Sequence, residues 1–209
     1  ARHPMAERIL EKDGRQFQPN DLLVRGGHCS RSCLVVTGPN MGGKSSYVRT
    51  AALISLMGQI GSWVPATSAS LPIFDNIFTR MGADDDLARG RSTFLNELHR
   101  TSRIIRNATS KSLVILDELG RGTSTHDGVA IAIATLKHLV RKIGCATLFV
   151  THYAQISDLA ASASASTIGG GGDDAWQQTA NVHMSYIEGE SDGAAGATVT
   201  FLYTAVEGP

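Results

Sequence analysis

Cys33-Leu-Val-Val-Thr37, followed at once by Gly38-Pro-Asn-Met-Gly-Gly-Lys44-Ser45, decides the fold. The first five residues are short, apolar and β-branched, as in a strand buried on both faces of a parallel sheet. The next eight fit G-x-x-x-x-G-K-[ST], the phosphate-binding P-loop. Ser45 to Ile60 then reads as a helix, with Val48, Ala52, Leu56 and Ile60 at every fourth position. Glycines let successive N–H groups turn inward around phosphate oxygens, and the helix N-terminus adds partial positive charge. Gly38, Pro39, Asn40, Met41, Gly42, Gly43, Lys44, Ser45 and the following Ser46 are therefore the expected nucleotide contacts. Lys44 would reach the β- and γ-phosphates, and Ser45 would offer its hydroxyl to Mg²⁺.

Outward from that loop the chain alternates strands with helices. Ile77 to Arg80 is a brief strand, Ser92 caps a helix running to about Ala108, and Leu113 to Leu116 is a second buried strand. Gly120 to Thr125 is a loop, Asp127 opens a helix with the stripe Val129, Ile133, Leu136 and Val140, and Gly144 stops it. Thr147 to Thr151 is a third buried strand, while Asn181 to Ile187 and Thr198 to Thr204 predict an antiparallel pair. The fold class is α/β with a largely parallel central sheet plus antiparallel strands. Residues 160–176, rich in Ala, Ser and Gly, are expected to form a flexible loop.

Three further clusters carry chemistry. Leu113-Val-Ile-Leu-Asp117-Glu118 ends a buried strand in two acids, which suits a Mg²⁺–nucleotide site: Asp117 would hold the metal and Glu118 would polarise the attacking water. His152 stands just past the strand Thr147 to Thr151, where open α/β sheets bind ligands, and could hydrogen-bond a γ-phosphate. Gly90-Arg91-Ser92-Thr93-Phe94 is either a helix cap or a second place where N–H groups and a hydroxyl face phosphate.

Composition narrows the function. Of 209 residues, 42% are hydrophobic, enough for a sizeable core, and 19 basic residues balance 19 acidic ones. A domain gripping a nucleic-acid backbone on its own surface would show a basic excess, so any such grip is expected outside this chain. Cys29, Cys33 and Cys145 form no CxxC pair and read as reduced thiols. No apolar run approaches the roughly 18 residues of a membrane span. The chain opens at Ala1 and stops at Pro209 on the heels of a strand, and it reads as a segment of a longer protein.

The P-loop, Gly90-Arg-Ser-Thr-Phe94, Leu116-Asp-Glu-Leu-Gly-Arg-Gly-Thr-Ser-Thr125 and Thr151-His-Tyr153, in this order, resemble the ATPase domain of the MutS family of DNA mismatch-repair proteins. Arg2-His-Pro4, Phe17-Gln-Pro-Asn-Asp21 and Asn181-Val-His183 extend the resemblance over nearly the whole chain. Ser45-Ser46 and Phe78-Thr-Arg-Met-Gly82 are most similar to the third eukaryotic branch of that family.

The resemblance implies an ABC-type ATPase that uses ATP and Mg²⁺. On it, residues 1–209 are one MutS-type ATPase domain, without the family's C-terminal helix-turn-helix. Lys44, Glu118 and His152 fall on catalytic positions, and Ser45 and Asp117 on metal positions. Phe17, and opposite it Tyr203, fall where the family stacks an aromatic on adenine. Ser92 falls on the signature serine that completes a partner's site in trans. Implied with these are a heterodimer with a second MutS homologue, mismatched or looped-out DNA read through other domains, no membrane, and a nuclear location. Two alternatives stand beside this: a MutS homologue of meiotic recombination or an organelle, and a structural ATPase of the SMC or Rad50 sort.

Overall fold

The computed structural model describes residues 1–24, 26, 31–82, 93–165, 174–189 and 198–208. In chain order its elements are α1 (Pro4–Lys12), β1 (Cys33–Thr37), α2 (Lys44–Gln59), β2 (Ile77–Arg80), α3 (Thr93–Asn107), β3 (Leu113–Asp117), α4 (Thr125–Lys137), β4 (Ala146–Val150), α5 (Ala154–Ala165), α6 (Asp174–Gln177), β5 (Thr179–Gly189) and β6 (Thr198–Glu207). A π-helical segment, His138–Ile143, prolongs α4 until Gly144, whose φ of +71° ends it.

The six strands form one sheet in the order β2-β3-β4-β1-β5-β6. All neighbours run parallel except β5 and β6, which are antiparallel with a register shift between Met184 and Tyr186. The apolar runs of β1, β3 and β4 follow from their central places, because both faces of each are covered. On one face Cys33, Val35, Val114, Leu116 and Phe149 meet Ile104 of α3, Ala132 and Leu136 of α4, Ile156 of α5 and Trp176 of α6. On the other, Leu34, Val36, Leu113, Ile115, Leu148 and Val150 meet Tyr47 and Val48 of α2 and Phe74. Cys33 and Cys145 are buried free thiols, and burial pushes both thiol pKa values up. Among the described residues no helix is long and apolar enough to cross a membrane.

Several expectations need correction. Val48, Ala52, Leu56 and Ile60, spaced every four residues, do not share one buried face, for Leu56 and Ile60 are exposed; the buried residues of α2 are Lys44, Tyr47, Val48, Thr50, Ile54 and Ser55. The expected loop 160–176 is helical at both ends. Ala160 is buried within α5, and Trp176 lies buried in α6 beneath the Lys137 ammonium, 5.7 Å from the ring centroid. Residues 166–173 lie outside the described residues. α4 starts at Thr125 rather than Asp127, because Ser124 caps it by accepting the Asp127 N–H.

Candidate active site

The P-loop leaves β1 with Gly38 at φ +129° and enters α2 through Gly43 at φ +96°. At Gly38 a Cβ would sit 3.0–3.1 Å from Met184 of β5, so only glycine lets the loop pass that strand. Gly43 caps α2 with no side-chain hydrogen bond, which leaves the first N–H groups of the helix available to an anion. The Lys44 ammonium lies over the loop, donating to Gly38 O at 2.7 Å and Pro39 O at 2.9 Å. Burial holds its pKa below the ordinary lysine value, while Glu118 and Asp117 pull it back up.

β4 lies between β1 and β3, and this order gathers the remaining groups. Asp117, at the end of β3, accepts the Ser45 hydroxyl on Oδ2 at 2.7 Å, while its buried Oδ1 has no partner. A hard divalent cation fits that orphaned oxygen. The Ser45 hydroxyl and a carboxylate are suitable donors for Mg²⁺.

Glu118 follows at φ +56°, an unusual conformation for a non-glycine residue, with its N–H on Val150 O at 2.9 Å. Its carboxylate meets His152 Nε2 through Oε1 and Arg121 Nη1 through Oε2. His152 thus touches Glu118 directly, a contact not anticipated from its position after β4. Arg121 went unnoticed in the sequence, although the run Gly120-Arg-Gly122 directly after the acids marked the loop.

Phe17 and Tyr203, distant in sequence, line one cavity of about 580 Å³ together with Gly43 and Ser46. The Asn20 side chain holds this wall together, donating to Tyr203 O at 2.8 Å and accepting from Ala205 N at 2.7 Å. Asn40 and Met41 are exposed at the loop's rim. Ser92 lies outside the described residues.

A match to the family described as MutS domain V runs from residue 34 to residue 205. The chain belongs to this family. It is 51% identical over 207 residues to DNA mismatch repair protein MSH3 of Phaeosphaeria nodorum, covering 99% of this chain and 17% of that protein. Against MSH3 of Arabidopsis thaliana it is 48% identical over 209 residues, and against Msh3 of Homo sapiens 48% over 216, covering 99% of this chain and 18% of each relative. The chain therefore spans less than a fifth of the length of these curated relatives.

In this MutS domain V the loop after the acids is pinned between α4 and the residue that precedes α5. Gly120 O accepts the Tyr153 hydroxyl at 3.0 Å, and Gly128 of α4 lies so close that a Cβ there would fall 2.5 Å from the same oxygen and against the tyrosine oxygen. Gly128→Ala would favour the helix by about 1 kcal/mol through propensity. The overlap outweighs this, for overpacking costs about 1–3 kcal/mol and the Tyr153 bond is broken as well. Thermal melts are expected to show a Tm several degrees lower; an unchanged Tm would mean the contact relaxes freely.

Proposed function

We propose that this chain is the ATP-binding and hydrolysing domain of a DNA mismatch-repair protein, coupling nucleotide state to recognition of mismatched or looped-out DNA. One observation carries the catalytic reading: the orphaned Asp117 Oδ1 beside Ser45, with the Lys44 ammonium over the glycine loop and Glu118 next in the chain. The N–H groups at the start of α2 and Lys44 bind the phosphates. Ser45 and Asp117 hold Mg²⁺, which when bound neutralises charge on the phosphate oxygens. Phe17 and Tyr203 enclose the base. Glu118, oriented by His152 and Arg121, takes the proton of the attacking water.

The wider reading is supported by the names of the relatives above, each a mismatch-repair protein. On that reading the protein pairs with a second MutS homologue whose site receives Ser92, meets DNA through segments outside this neutral chain, and works in the nucleus.

The test is ATP titration of Lys44→Ala. A charge-assisted contact is worth about 1.5–3 kcal/mol, so affinity is expected to fall roughly ten- to a hundredfold. Affinity equal to wild type would mean that this loop holds no phosphate.

A further inference from the structure

Arg80 and Glu97 form a buried ion pair that takes no part in the chemistry above. Arg80 ends β2, Glu97 lies in α3, both are only 6% exposed, and Nη2 stands 3.1 Å from Oε1. Taking two charges out of water is unfavourable unless further hydrogen bonds complete the pair. Here those bonds converge on one segment. Arg80 Nη1 donates to Asp117 O, and Glu97 Oε1 accepts the Gly120 N–H at 2.5 Å.

Asp117 and Gly120 bracket Glu118, whose φ of +56° persists only where the surroundings determine it. Further restraints on this turn are Val150 O on the Glu118 N–H, the Tyr153 hydroxyl on Gly120 O, and the buried Leu119 side chain. Burial and, after it, the Glu97 charge raise the Tyr153 pKa. α3 touches the same loop once more, where a Cβ on Gly122 would lie 3.0 Å from Phe94 Cβ.

We propose that Glu97, held by Arg80, is a positioning residue for ATP hydrolysis: by fixing the Gly120 N–H it sets the turn that aims the Glu118 carboxylate. The proposal rests on Glu118 being the general base. A displacement of α3 then reaches Glu118 through Glu97, which makes hydrolysis sensitive to whatever moves that helix.

The test is single-turnover hydrolysis and ATP titration in the full-length protein with its partner subunit, well below each variant's melting temperature. Glu97→Asp keeps a carboxylate on α3 but, one methylene shorter, withdraws the oxygen that both Arg80 and the Gly120 N–H share. It is expected to lower the hydrolysis rate roughly ten- to a hundredfold, the scale of a small misplacement, with ATP affinity nearly unchanged. Glu97→Gln leaves an oxygen where the Gly120 N–H needs it and restores most of the rate. In a Glu118→Gln background, Glu97→Asp should add less than about twofold, since the two act as one unit. Glu97→Asp hydrolysing at the wild-type rate, whatever its Tm, would overturn the proposal, as would a full multiplicative loss in the Glu118→Gln background. Wild-type hydrolysis by Glu118→Gln alone is a separate outcome: there the general-base reading itself fails, and the proposal with it.

Discussion

Glu118→Gln is expected to bind ATP almost as wild type does and to hydrolyse it roughly 10²–10⁴-fold more slowly, the scale of general-base catalysis. Glutamine keeps the size of the side chain and can keep hydrogen bonds to His152 and Arg121, so the turn at residue 118 need not move. What it loses is the capacity to take a proton. Binding is expected to survive because, on the proposed reading, the phosphates are held elsewhere, by Lys44 and the start of α2. One change in binding does follow from charge. Burial already lowers the Lys44 pKa, and Glu118 is the largest influence opposing it, with Asp117 next. Removing the Glu118 charge lowers the lysine further, so the alkaline loss of ATP affinity should begin at lower pH in the variant. Single-turnover hydrolysis and ATP titrations across pH measure both effects. A hydrolysis rate within about threefold of wild type would remove Glu118 from the role.

The residues that announced themselves in the sequence are those whose signal is local. Cys33 to Ser45 carries strand, glycine turn and helix start in thirteen consecutive positions, and Asp117-Glu118 stands where an apolar run stops. The four-residue spacing on α2 marks the helix but not its buried face, for a geometric reason. Residues four apart advance about 40° around a helix of 3.6 residues per turn, so Val48, Ala52, Leu56 and Ile60 wind from the core out to solvent. The true face uses three- and four-residue steps, through Tyr47, Thr50 and Ile54. Low complexity misled in the same way after Ala160. Alanine is the best helix former, and Ala160–Ala165 simply continues α5.

The contacts that shape the site were not legible, because they are tertiary. His152 reaches Glu118 only because β4 is inserted beside β3, and Arg80 reaches Glu97 only because β2 and α3 close over the same loop. A charged residue ending a strand, as Arg80 does, marks a site of interest but not its partner.

Strand order also bears on how catalysis is divided between subunits. β2, the strand before α3, lies three places from β1, about 14 Å away at the usual strand spacing. α3 opens at Thr93, and Phe94 lies against Gly122, past the end of β3. Ser92 directly precedes α3 in sequence. On the proposed pairing with a second MutS homologue, Ser92 serves the nucleotide held by the facing subunit. The expected result is therefore a defect in the partner's turnover. In a heterodimer whose own site is silenced by Glu118→Gln, adding Ser92→Ala to this chain should lower the remaining hydrolysis roughly 10²–10³-fold, the cost of losing one oriented donor at a developing charge. ATP binding to this chain's P-loop should be unaffected, because Lys44, Ser45 and Asp117 are intact. Should the remaining turnover stay at the level of the Glu118→Gln heterodimer while the subunits associate normally, Ser92 caps a helix and each site is complete within its own chain. Should it fall, the two sites are built across the interface, and DNA bound elsewhere in the protein can govern hydrolysis by shifting how the two domains face each other.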